Sequence, residues 1–145
     1  MLSQATGYAA AALACVARAG GNPVLVRDIA TDADIPAPYL AKIIQLLAKR
    51  GVVSTQRGVG GGVTLARAPD MISLYDVAVA LEDPVVLTRC MLGEAECSDE
   101  RACPAHAFWT AHRGRTIGFL CATTIADMAA FEARRHGDPR HDAAE

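Results

Sequence analysis

A chain of 145 residues, 52% of them apolar, can bury one core, or a compact reading head with an appended oligomerisation element, without disulfide support. It contains no run of about 18 uninterrupted apolar residues, which excludes an ordinary membrane-spanning helix. The formal net charge of −2 excludes a uniformly basic surface, but the charge is unevenly divided. Residues 1–67 hold seven Lys or Arg against three acids, a net +4, and residues 68–145 hold seven against thirteen, a net −6. A basic reading head on an acidic sensing half shows this pattern, although local charge excess is also common on surfaces of any function.

Residues 2–18 are Ala-rich and free of Pro, with Ser3 placed to cap, so a helix is expected. The apolar stretch 8–17 has no basic segment before it, so a helix is the better reading than a signal peptide. Without an export signal the chain is expected in the cytoplasm, with its five cysteines reduced. Gly20-Gly21-Asn22-Pro23 stops the first helix. A short second helix is expected over Val26 to Ala33, and Ile35-Pro36 makes a tight turn. A third helix then runs from about Ala37 to Arg50, with Leu40, Ile43, Ile44 and Leu47 on one face and Gly51 as its left-handed cap.

Short helix, turn and third helix form a helix-turn-helix pattern. Val52 to Arg57 and Val63 to Ala66 follow as two strands joined by Gly58-Val59-Gly60-Gly61-Gly62. A hairpin directly after a recognition helix is a wing. The glycine run is not a phosphate loop, because no Gly-Lys-Ser/Thr triplet ends it and a strand follows it. The outer face of the third helix carries Ala37, Pro38, Ala41, Lys42, Gln45 and Lys49. This is either an ordinary solvated face or the face that enters the major groove. In the second reading Lys42 and Gln45 donate to base edges, and Arg27, Lys49 and Arg57 meet phosphates or, at the wing with Gly58, a narrow minor groove. Tyr39 either touches the DNA backbone or packs.

A fourth helix is expected over 73–82 behind a Ser cap, and Pro84 closes it. A loop over about 88–103 carries cysteines. A long helix is expected from Pro104 to about Cys121, with Phe108, Trp109, His112, Ile117 and Leu120 as its stripe. Thr124-Ile-Ala-Asp127 has the form of a capping box for a last helix to about Arg135, and 137–145 reads as a disordered polar tail. So late an amphipathic helix buries its stripe either against its own domain or against a second copy, the arrangement by which helix-turn-helix dimers read paired half-sites. Gly114 and Gly118, four apart, permit close helix contact.

Cys90, Cys97, Cys103 and His106 have the spacing C-x6-C-x5-C-x2-H. Pro104 at the first helical position would set Cys103 at a helix N-terminus, where a thiolate is stabilised. No C-x2–4-C knuckle of structural zinc is present, and wide spacings suit a larger body such as an iron–sulfur cluster. Spacing alone also leaves room for zinc, a thiol–disulfide switch or an inert loop. Cys15 and Cys121 read as buried small residues. No catalytic constellation is visible, so an enzyme is the weakest reading, and a metal or cluster carrier that does not bind DNA is the rival. Neither the basic head nor the glycine wing serves a carrier.

Three segments, Ile35-Pro36-Ala37-Pro38-Tyr39-Leu40, Arg57-Gly58-Val59-Gly60-Gly61-Gly62 and Cys103-Pro104-Ala105-His106-Ala107-Phe108-Trp109, resemble the Rrf-type winged-helix transcription regulators, which include IscR/NsrR-like iron–sulfur sensors. The likeness runs from Met1 to about Arg134. It implies a homodimer that represses or activates promoters according to the state of an iron–sulfur cluster. Cys90, Cys97 and Cys103 stand at the family's three cluster cysteines, and His106 at the fourth ligand of its two-iron type. The four-iron type takes an N-terminal Asp from the other subunit, and here Gly7 precedes Tyr8. The resemblance therefore implies a [2Fe-2S] rather than a [4Fe-4S] cluster.

The expected architecture is mainly α with a small β-hairpin wing, a winged helix-turn-helix followed by a long C-terminal dimerisation helix. Residues 1–84 would form the DNA-binding domain and 85–136 the cysteine loop and dimerisation helices. The expected function is a dimeric repressor of pseudo-palindromic double-stranded DNA, sensing redox, nitric oxide or iron–sulfur status. Neither a membrane nor a small-molecule substrate is expected as partner.

Overall fold

The computed structural model describes residues 1–92, 97–101 and 103–137. The expected tail, from 138 onward, and loop residues 93–96 and 102 lie outside the described residues. Among the described residues, six α-helices and one two-stranded antiparallel hairpin follow in chain order: α1 (Gln4–Arg18), α2 (Val26–Asp32), α3 (Ala37–Lys49), β1 (Val53–Gln56), β2 (Gly62–Leu65), α4 (Leu74–Ala80), α5 (His106–Ala122) and α6 (Ile125–His136). No helix among the described residues is long and apolar enough to cross a membrane.

Local chemistry sets the helix ends. The Ser3 side chain accepts from the Thr6 N–H at the start of α1. Ser73 with Asp76 and Thr124 with Asp127 close full capping boxes on α4 and α6, each satisfying donors that a helix start leaves free. Pro38 lies in the first turn of α3, where a missing N–H costs nothing. Gly51, with φ 72°, takes the left-handed turn that ends α3 and sends the chain into β1.

The apolar faces then meet. Leu40, Ile43, Ile44 and Leu47 of α3 are buried, and Ala9, Ala12, Leu13 and Val16 of α1 share their core with Ile29, Val52, Val63, Val77, Leu120 and Ile125. The last helix returns to the first, since α6 packs on α1. Its start is pinned to the start of α4 by backbone bonds from the Leu74 N–H to the Thr123 carbonyl and from the Ile125 N–H to the Ile72 carbonyl, both 2.9 Å.

The wing is tied to the body at β2. Val63 and Val24 exchange backbone bonds of 2.8 and 3.0 Å, an isolated antiparallel bridge that joins the segment before α2 to β2. Gly62 pairs with Gln56 at the hairpin end at φ 143°, and a Cβ there would lie 2.8 Å from the Val24 carbonyl oxygen. Only glycine fits both the dihedral and the close approach. Gly62→Ala is therefore expected to destabilise the protein by about 2 kcal/mol or more, read as a lower midpoint of thermal unfolding. An unchanged midpoint would mean that the wing is not held by this contact.

Two sequence expectations are corrected. The N-cap of α5 is Ala105, in helical conformation, so the helix begins at His106 and Pro104 stays in the turn before it. Cys103 consequently precedes the helix instead of capping it. Cys121 is exposed, not buried, because α5 turns only a narrow edge to the core.

Candidate DNA-reading surface and cysteine pocket

Burial of one face of α3 forces the other outward. Pro38, Lys42, Gln45 and Lys49 are all exposed along it, with Leu46 exposed beside them, a residue the sequence reading did not single out. Tyr39, also part-exposed, meets Tyr8 of α1 edge-on with ring centroids 5.7 Å apart. It therefore packs while keeping an open edge. Arg27 and Arg57 are exposed and line one groove of about 500 Å³ between the start of α2 and the wing, with Gly58 at the hairpin turn. Arg27 lies 3.9 Å from its exposed neighbour Asp28, too loose a pair to withdraw its charge from a passing phosphate.

The second site is the cysteine loop. Cys90, Cys97, Cys103 and His106, all half-buried, line a single pocket of about 80 Å³ together with Leu92 and Arg101. The imidazole partner is Cys97, not the nearer-in-sequence Cys103: His106 Nδ1 lies 3.0 Å from Cys97 Sγ. The other ring nitrogen, Nε2, lies 2.7 Å from Asp99 Oδ1. Among the described residues no three His, Cys, Asp or Glu side chains close on one point as a lone ion requires. The four donors share the lining of that one pocket.

Side chains of α5 hold the loop's main chain. Trp109 Nε1 donates to the Arg89 carbonyl at 3.0 Å, and Arg113 donates to the Val86 carbonyl at 3.2 Å. At the loop's base, the buried Asp83 carboxylate accepts from the Ser3 N–H at 2.8 Å, Thr6 Oγ1 at 2.6 Å and the Val85 N–H at 3.0 Å. Burial pushes its carboxyl up, and the hydrogen bonds from Thr6, Val85 and Ser3 together bring it below the ordinary carboxylate value. Its neighbour Glu82 pairs with Arg50, at the end of α3, at 3.1 Å. No spacing rule announces Asp83 or Asp99. Both sit in acid-containing loop sequence, and only the folded chain shows what they face.

Cys15 stands apart from this pocket. Burial first, then the Asp32 carboxylate beside it, raises its thiol to about 11, so the reactive thiolate is scarce. Arg18 is bound to the same Asp32.

A helix-turn-helix with an adjoining wing, and cations arrayed along the face it leaves open, defines a winged-helix DNA-binding transcriptional regulator. Similarity to known proteins supports this and narrows it. The chain belongs to the Rrf2 family, described as iron-dependent transcriptional regulators, whose profile matches residues 2–130. It is 34% identical over 136 residues to a protein of Aquifex aeolicus (strain VF5) described as an HTH-type transcriptional regulator, covering 92% of this chain and 94% of that one. It is 34% identical over 122 residues to the HTH-type transcriptional regulator IscR of Escherichia coli, covering 83% of this chain and 75% of that one. Among solved structures, IscR of T. potens superposes with a TM-score of 0.69 at 26% identity, over 91% of this chain and 88% of that one. The fold is also that of CymR, the global cysteine regulator of B. subtilis, with a TM-score of 0.72 at 24% identity over 90% and 97% of the two chains.

Proposed function

We propose that this regulator works in the cytoplasm as a homodimeric repressor, switched by a [2Fe-2S] cluster on Cys90, Cys97, Cys103 and His106, and senses redox, nitric oxide or iron–sulfur status. The observation that carries the reading is the convergence of three thiols and one imidazole on one pocket. The chemistry of the donors fits the group: thiolates are the usual cluster ligands, and a histidine can replace a cysteine. Structural zinc usually takes closely spaced cysteine knuckles, which the C-x6-C-x5-C-x2-H spacing lacks. When bound, the cluster supplies a centre that oxidants and nitric oxide attack.

The remaining work belongs to the protein's own residues. In this reading residues 1–84 are the reader and 85–136 the sensing and dimerising half. Lys42 and Gln45 read base edges with Pro38 and Tyr39 at the entering end of the helix, while Arg27, Lys49, Arg57 and Gly58 meet the backbone or minor groove. Dimerisation is supported by α5, of whose 17 residues only Leu120 is buried, while Phe108 and Phe119 stand 61% and 62% exposed. A second copy covers such a face. Gly114 and Gly118 have open space where a Cβ would sit, so the close approach they permit is left for that copy.

Coupling follows from the anchors. Trp109 and Arg113 fix the loop to α5, Asp83 fixes its base to α1, and Tyr8 carries α1 to Tyr39 on the reading helix. An ordered loop therefore biases the placement of α5 relative to the two reading heads of the dimer. Isolated without oxygen, the protein should absorb in the visible and hold about two iron and two sulfide per chain. Cys97→Ser should hold neither. Colourless, iron-free protein after anaerobic isolation and reconstitution would contradict the cluster.

A further inference from the structure

Asp99 and Cys97 flank the His106 ring from opposite sides, Asp99 Oδ1 at Nε2 and Cys97 Sγ at Nδ1. A carboxylate oxygen at 2.7 Å accepts a hydrogen bond, which assigns the ring N–H to Nε2. In the neutral ring, the form that binds a metal, the lone pair is thereby left on Nδ1, the nitrogen on the thiol side. Asp99 opens the short 3-10 turn Asp99–Arg101, and the backbone bond from the His106 N–H to the Cys103 carbonyl at 2.9 Å sets the ring's own start. Turn and helix start thus hold ring and carboxylate face to face.

We propose that Asp99 is a positioning residue, which makes His106 offer Nδ1, and not Nε2, to the cluster. This rests on the cluster reading above. A metal-bound histidine typically donates its other N–H to a carboxylate, which fixes the tautomer and the ring's orientation, and loss of that partner typically costs 10–100-fold in affinity. The Asp99 side chain is fully exposed, so its contribution is geometric and not that of a buried charge. An asparagine, which keeps an accepting oxygen, should therefore replace it well, and an alanine should not.

The test uses the full chain, reconstituted anaerobically with ferrous iron and sulfide, with histidine labelled with ¹⁵N at either Nδ1 or Nε2. Pulsed electron paramagnetic resonance of the reduced protein should show strong, directly bonded coupling with the Nδ1 label alone. Asp99→Ala should lose iron to a chelator at least about tenfold more readily than wild type, and Asp99→Asn should restore most of the retention. Far-ultraviolet circular dichroism confirms that both variants are folded. Strong coupling with the Nε2 label, or undiminished retention in Asp99→Ala, would overturn the proposal and leave the cluster standing. Failure of the wild type to take up iron and sulfide would overturn both.

Discussion

Asp83→Ala is expected to lower the unfolding free energy at pH 7 by about 3 kcal/mol, with a fall of about 10 °C in Tm. The carboxylate is 1% exposed and gathers donors from three places: the Ser3 N–H, the Thr6 hydroxyl and the Val85 N–H. Leaving a buried donor without a partner costs about 1–3 kcal/mol, and Thr6 is partly rescued by the Ser3 hydroxyl 3.0 Å away. The same group makes stability depend on pH. Its folded carboxyl lies below its ordinary value, so its contribution is complete above the unfolded value of about 3.9 and is lost as pH falls through the folded one. Asp127, held low by the Thr124 backbone N–H and hydroxyl, follows the same sign. The acid limb that disappears in Asp83→Asn therefore isolates the share of Asp83. Thermal unfolding of wild type and both variants between pH 3 and pH 7, conditions chosen for the scan, measures it. Equal midpoints at pH 7 would show that the bonds at the loop's base contribute nothing net.

Lys42→Ala and Gln45→Ala should each weaken binding to a specific operator by about 1–3 kcal/mol, roughly 5- to 150-fold. Both side chains are exposed on the face of α3 opposite its buried Leu40, Ile43, Ile44 and Leu47. Neither holds a core contact, so stability should change little. Arg57→Ala separates reading from steering: loss of a phosphate contact weakens all sequences alike and lowers the salt slope by about one. Fluorescence anisotropy at several salt concentrations, against specific and unrelated duplexes, resolves the two behaviours. Unchanged specific affinity in both helix variants would remove α3 from base recognition.

The reader was largely legible in the sequence because local rules fix it. The period of Leu40, Ile43, Ile44 and Leu47, the Gly51 stop and the glycine-rich hairpin each have one physical reading, and the core supports all three. The cysteine loop was legible only as a set of donors. Its pairing was not, because a loop lacks the periodicity that brings chosen residues together. The spacing does not single out which thiol faces the imidazole; the chain turns through Asp99–Arg101 and presents Cys97 to His106. Cys121 misled for a related reason: a helix with apolar residues on several sides does not announce which face is inward. Asp83 was silent altogether, since two of its three partners, Ser3 and Thr6, stand 80 and 77 positions away in sequence.

In the proposed switch, the state of the cysteine loop sets the reader's affinity for DNA. Anaerobic titration of a pseudo-palindromic duplex, its half-site centres about 10 bp or a multiple apart, with cluster-loaded protein and with the same protein after chelation tests it directly. The two affinities should differ by about tenfold or more, a coupling of about 1.4 kcal/mol. Superimposable titrations from the two forms would contradict it.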